Sequence, residues 1–163
     1  MSIRVLGIDP GTIRMGMGVL EADGSRNRLV AFESVAISKD QALSEKLKEI
    51  HDRVEDFVDR YHPDVMALEN VFFGESVPTL VKIGEARASA MLAAAKRNIA
   101  VVEYPPARVK EAVTSNGRAS KVQVQHMVKI LLGLKTVPPV DAADALAVAL
   151  CHLQSRNVRL PVG

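Results

Sequence analysis

Residues 3–9, "IRVLGID", carry four apolar side chains, Ile3, Val5, Leu6 and Ile8, up to a carboxylate, Asp9, and Pro10-Gly11 follows at once. A short apolar run bounded by turn residues reads as a buried strand. Asp-Pro-Gly is good turn chemistry, because Asp bonds its own backbone, Pro presets φ and Gly accepts a positive φ. The chain then returns through "RMGMGVLE", in which glycines alternate with methionines. This commits the N-terminus to an antiparallel pair with an acid at its tip. Taken alone, the turn accounts for Asp9; whether it also does chemistry depends on what the rest of the chain brings beside it.

The pattern continues with strands over 3–9, 15–21 and 28–37, separated by turns at Pro10-Gly11 and Asp23-Gly24-Ser25, which makes two adjacent hairpins. From 41 to 61 the apolar residues Leu43, Leu47, Ile50, Val54, Phe57, Val58 and Tyr61 step by threes and fours along one helical stripe. Ser38 and Gln41 are expected to form its capping box, and Pro63 to stop it. "DVMALEN" is a short apolar strand that ends in a second acid, Glu69. A helix is expected from Pro78 to Arg97, a strand over 99–104 and a short helix from Pro105-Pro106 to Val113. The next helix is capped by Ser120 and Gln123 and closed by Gly133, and a last one begins near Asp141. Three hairpin-linked strands followed by alternating helix and strand give an α/β domain with a mixed sheet.

At 163 residues the chain has length for one domain with a substantial core. Its 48% hydrophobic and 25% charged residues exclude a disordered or membrane-embedded class. No apolar run approaches a bilayer span, and Met1-Ser2 leads directly into a strand pattern, so the expected location is the cytoplasm. Cys151, the single cysteine, sits in an apolar helical pattern and reads as packing. Charge is divided unevenly: residues 40–69 hold nine acids against four bases, and residues 96–135 hold eight bases against two acids. The basic half suits a polyanionic partner, although a solvated face gives the same count.

Asp141 and Asp144 lie three apart on the last helix and so share a face. Capping and the helix dipole account for such a pair on their own. Yet Asp9 and Glu69 both end apolar strands, and adjacent strands would bring them together. Carboxylates gathered there would repel one another unless a hard divalent cation lay between them, and such ions serve the attack of water on a phosphodiester.

The blocks "GIDPGTIRMGMGV", "ALENVFFGES", "KIGEARA", "YPPARVKEAV", "GRASKVQVQHMV" and "DAADALAVALCH", in this order and spacing, resemble the RuvC family of Holliday junction resolvases. The resemblance covers nearly the whole chain. It implies a ribonuclease H-like mixed five-stranded sheet, three antiparallel N-terminal strands and then parallel strands, with helices on both faces. It implies one nuclease domain over 1–155 and a short tail over 156–163. Asp9, Glu69, Asp141 and Asp144 become both the catalytic set and the metal ligands, holding Mg2+ as two ions per active site, with Mn2+ able to substitute. The implied assembly is a homodimer, without membrane association, that makes paired nicks across a four-way DNA junction and works beside the RuvA-RuvB branch-migration complex.

DNA contacts implied by the same blocks are Phe72, Phe73, Arg87, Arg108, Lys110, Arg118 and Lys121. Lys110 and Lys121 match basic positions used near the scissile phosphate, and Phe72 matches an aromatic that meets unpaired bases. Lys121 in a first helical turn is disfavoured by the macrodipole, which calls for another use. Two departures stand out: Asn70 occupies a position commonly Gln in the family, and Glu75-Ser76-Val77 replaces a loop that often carries Lys or Asn. In the helix over 78–97, Gly84, Ala88 and Ala95 beside Leu80, Met91 and Leu92 form a small-residue face that suits either core packing or a twofold interface. Two other classes remain: a junction-binding scaffold without catalysis, and a fragment of an actin-like phosphotransferase, suggested by the Asp9 turn alone.

Overall fold

The structure, a computed structural model, describes residues 1–70 and 74–157. Strands β1 (Ser2–Asp9), β2 (Arg14–Asp23) and β3 (Arg26–Ala36) form the two expected hairpins. Strands β4 (Val65–Glu69) and β5 (Ala100–Tyr104) join in parallel, giving the order β3-β2-β1-β4-β5. Helices α1 (Leu43–Tyr61) and α2 (Val77–Lys96) cover one face, and α3 (Pro106–Thr114), α4 (Lys121–Leu131) and α5 (Val140–Asn157) cover the other. This is the mixed five-stranded sheet the sequence implies.

Strand alternation divides the core in two. Leu6, Ile8, Met15, Met17, Met66 and Leu68 face α1 and α2, where they pack on Ile50, Val54, Phe57 and the alanines of α2. Val5, Leu20, Val65 and Ala67 face α5. The glycines between the methionines serve that second face. A Cβ on Gly7 would meet the Ala145 carbonyl, one on Gly16 the Asp141 carbonyl, and one on Gly18 the Leu146 side chain. Their absence of side chains lets the α5 backbone lie against β1 and β2. The alternation thus has two purposes: methionines fill one core, and glycines seat the helix that carries two of the acids.

Most element ends fall within two residues of expectation, and the capping box of α4 is complete: Gln123 N–H donates to Ser120 Oγ at 3.2 Å and Ser120 N–H to Gln123 Oε1 at 2.8 Å. The capping box expected from Ser38 and Gln41 does not form. Helix α1 begins after Ala42, which makes no side-chain cap. A cap contributes about 1 kcal/mol, whereas each large side chain buried by Ile50, Val54, Phe57 and Val58 contributes about 1.5–3 kcal/mol, so packing sets this helix. Cys151 is buried, as expected of a packing residue. In α2, Met91 packs partly against the core, and the outward face is instead Val77, Val81, Gly84, Ala88 and Leu92.

Candidate active site

β1 and β4 are parallel neighbours in register through Ile8 and Leu68, so Asp9 and Glu69 follow side by side at the same edge. Alternation puts both on the face of Val5, Gly7, Val65 and Ala67, beneath α5. There, Asp9, Glu69 and Asp144 line one cleft of about 460 Å³, together with Lys110 from α3 and Lys121 from the start of α4. The glycine contacts described above set α5 at the height that brings Asp144 over the strand ends.

These acids are poorly neutralised. Burial above all, and then the charges of Asp144 and Asp141, push Asp9 up from an ordinary 3.8 to about 7, against the opposing pull of Lys121. Glu69 is raised by burial and by Asp144, and lowered less by Lys110, Lys121 and Arg87. Asp144 is also raised, first by burial, with Lys121 opposing. Among the described residues the acids of the cleft make one ion pair, Lys121 Nζ to Asp144 Oδ2 at 3.7 Å. Several half-buried carboxylates facing one opening, with one ion pair among them, are a hard-oxygen donor set that fits a divalent cation.

Asp141 stands apart. It does not line the cleft; its Oδ2 accepts from Arg14 Nε and from Ser34 Oγ, both at 2.9 Å. Its charge still reaches Asp9. Four acids are therefore within electrostatic range, three of them open to the cleft and one clamped at its rim by β2 and β3. Neither Arg14 nor Ser34 carries a sequence signal that would have found this clamp, since their approach depends on the register of β2 with β3, which pairs Gly16 with Ser34.

The basic residues divide similarly. Lys110, Lys121 and Arg87 line the cleft. Arg108 and Arg118 are exposed and do not line it; Arg108 reaches Ser155 Oγ at 3.5 Å. Arg87, expected among the DNA contacts, is buried at 8% exposure, and its guanidinium donates to the Glu69 carbonyl and to Glu103 Oε1. Phe72 and Phe73 lie outside the described residues. Glu75 and Asn70, the two departures from the family pattern, both line the cleft.

Among the described residues, the group of three ligand-type side chains whose ligand atoms all lie within 4.8 Å of one another is not in the cleft but on α1: His51, Asp52 and Glu55. It is already neutralised, since Lys48 holds Asp52 at 2.7 Å and Lys96 and Arg97 each hold Glu55 at 3.0 Å.

The family model for Crossover junction endodeoxyribonuclease RuvC matches residues 5–152. Crossover junction endodeoxyribonucleases RuvC of Desulforamulus reducens and Chloroflexus aggregans are each 46% identical over 151 residues, 92% of this chain; these cover 93% and 92% of the two relatives. Among solved structures, Thermus thermophilus RuvC in complex with a Holliday junction substrate superposes with a TM-score of 0.88 at 36% identity, over 94% of both chains. The yeast mitochondrial Holliday junction resolvase shares the fold, with a TM-score of 0.68 at 13% identity over 95% of this chain and 81% of its own. A family match that takes in most of β1, the cleft and most of α5, supported by relatives of similar length, leaves one conclusion: the chain belongs to the RuvC family of crossover junction endodeoxyribonucleases.

Proposed function

We propose that this chain resolves four-way DNA junctions by hydrolysing one phosphodiester in each of two symmetric strands, during recombination and repair. The observation that carries the reading is the convergence of Asp9, Glu69 and Asp144 in one cleft, where all three carboxyls are raised and, among the described residues, only Asp144 makes an ion pair. Asp9, Glu69 and Asp144, with Asp141 at the rim, would hold magnesium, two ions per site, with manganese substituting. Such ions supply an activated water and charge stabilisation of the leaving oxygen.

The chain's own residues do the rest. Asp9 and Glu69 present carboxylates from two rigid strand ends, so their spacing is fixed by the sheet. Asp141 offers its Oδ1 only, because Arg14 and Ser34 occupy Oδ2. Lys121 and Lys110 bring positive charge to the cleft wall, where a phosphate would lie. Phe72 and Phe73 follow Glu69 by three and four residues and would stack on bases opened at the crossover. Arg108 and Arg118 would contact the outer arms.

Two symmetric nicks call for two sites. The outward face of α2 repeats at helical spacing through Val77, Val81, Gly84, Ala88 and Leu92, with Val77 73% and Leu92 57% exposed. Nothing lies within 4 Å of a Cβ built on Gly84, and Glu85 Oε2 is buried without a hydrogen-bond partner. A second copy of the chain would cover this face as a homodimer. We assign the nuclease domain to residues 1–155 with a short tail beyond, and a cytoplasmic location; no described helix is long and apolar enough to cross a membrane. The RuvA-RuvB partnership follows from the family alone.

The test is a synthetic four-way junction labelled on each strand. Paired nicks in opposite strands, dependent on magnesium and lost in chelator, support the proposal. Tight binding without any nick over a range of divalent cations and junction sequences would leave a scaffold instead.

A further inference from the structure

Arg87 lies in α2 with its side chain 10% exposed, and both arms of its guanidinium are engaged. Nη1 donates to the main-chain carbonyl of Glu69, and Nη2 donates to Glu103 Oε1 at 2.5 Å. Glu103 pairs in register with Leu68, so Arg87 binds the C-terminal ends of two neighbouring parallel strands at once, at the last residue of β4 and the next-to-last of β5. Glu103 follows Val101 on the α2 side of the sheet, whereas the Glu69 carboxylate points to the α5 side. The guanidinium therefore grips Glu69 from behind, through its backbone. On the following residue the Asn70 N–H donates to the Tyr104 carbonyl at 2.8 Å, so both the carbonyl and the N–H of the Glu69–Asn70 peptide are tied.

We propose that Arg87, with Glu103, is a positioning residue that fixes the end of β4 and hence the Glu69 carboxylate, and that it is not a DNA contact. Arg87 is among the residues that line the cleft, yet it is only 8% exposed and both of its terminal nitrogens are bonded to protein acceptors, which leaves little of the guanidinium for a phosphate. Burial of an arginine is tolerated only where its charge and donors are met, and here the acceptors that meet them belong to the strand ends that build the cleft. The inference rests on reading Glu69 as one of the cation-holding acids.

The experiment uses the full chain as Arg87→Gln, Arg87→Lys and Glu103→Gln, with Glu69→Gln as a reference. Junction affinity is measured against salt in calcium, and single-turnover nicking in magnesium. Positioning predicts an unchanged salt slope in all three variants. It predicts a loss of nicking of about 10–100-fold in both Arg87 variants, the range seen when partners that orient ligands are removed. Lysine should fail to rescue, because it lacks the fork that spans two acceptors. Glu103→Gln should lose nicking in the same direction, and the double variant Arg87→Gln/Glu103→Gln should be no worse than Arg87→Gln alone.

A salt slope reduced by about one in Arg87→Gln, with Arg87→Lys near wild type, would overturn the proposal in favour of a phosphate contact. Should Arg87→Gln fail to fold, Glu103→Gln decides: nicking at the wild-type rate overturns the proposal. If Glu69→Gln itself nicks normally, the assignment of Glu69 is what fails. If Glu69→Gln is inactive while Arg87 and Glu103 variants nick normally, only the present inference is lost.

Discussion

The molecule has two gatherings of acidic side chains, and they behave in opposite ways. On α1, Asp52 and Asp59 are exposed, Glu55 is half-buried, and each meets a cation: Asp52 with Lys48, Glu55 with Lys96 and Arg97, Asp59 with both Nε and Nη2 of Arg97. Hydrogen bonds from those bases lower all three carboxyls. Under α5, Asp9, Glu69 and Asp144 are half-buried, line one cleft, and are all raised, first by desolvation and then by the charge of neighbouring acids. Acid count does not distinguish a site from a solvated surface, since α1 is the richer in acids. Burial without compensation does, because a fold retains an unbalanced charge only where something else is expected to balance it.

The largest effect should come from removing charge on each side of this contrast. Asp9→Asn, Glu69→Gln and Asp144→Asn should each lower magnesium-dependent nicking by on the order of 10²–10³-fold or more, with junction binding retained. Asp141→Asn should cost less than the other three, since Arg14 already neutralises part of its charge. Asp52→Asn and Glu55→Gln should leave nicking at the wild-type rate. Gel assays of binding and cleavage on one labelled junction read all six variants. Equal losses at α1 and under α5 would erase the distinction.

Stability against pH gives the next effect. A carboxyl whose folded pKa is raised binds protons more tightly in the folded state, so its contribution is present below the ordinary range and is lost as pH rises through the folded value. For Asp9 that window runs from 3.8 to about 7. Metal-free protein should therefore lose melting temperature across that window. Asp9→Asn should flatten the loss, and magnesium at pH 7 should restore several degrees in wild type but not in Asp9→Asn. The α1 acids, lowered by their partners, act with the opposite sign: their contribution is present above the ordinary carboxylate range and is lost as pH falls. Glu55→Gln should leave the magnesium response intact. Calorimetry from pH 4 to 8, with and without the cation, measures both.

The contrast also explains which parts of the molecule were legible in the amino-acid sequence. Strand alternation and the Asp-Pro-Gly turn are local, so both hairpins and the strand ends carrying Asp9 and Glu69 could be read directly. The pairing of Asp9 with Glu69 needed the sheet order, which the family resemblance supplied. The roles of Gly7, Gly16 and Gly18 were hidden, because a glycine shows its purpose only when the element crossing it is known. Asp141 was read as equal to Asp144 from helical spacing, and the difference arises from Arg14 and Ser34, more than 100 residues away in sequence. Arg87 was read as a DNA contact from the resemblance, and its hydrogen bonds were out of sight for the same reason: its acceptors, Glu69 and Glu103, lie on two other elements.

The smallest expected effect separates two lysines that each sit beside acids. Lys121 Nζ lies 3.7 Å from Asp144 at the mouth of the cleft, with its side chain 73% exposed, so it is loosely paired and able to turn toward a phosphate. Lys96 Nζ lies 3.0 Å from Glu55, in a network shared with Arg97. A lysine that neutralises a phosphate displaces counterions, and losing it lowers the slope of log affinity against log salt by about 0.9. Lys121→Ala should show that change in calcium, nearly independent of base sequence, whereas Lys96→Ala should show none, because its charge is answered within the protein. Lys121→Ala should also raise the Asp144 carboxyl further, since Lys121 is the first of the charges now holding it down. If both variants keep the wild-type slope, Lys121 is a solvated surface lysine. If both lose about one, the DNA path extends over α1 and α2, and the two acidic regions are less separate than their chemistry implies.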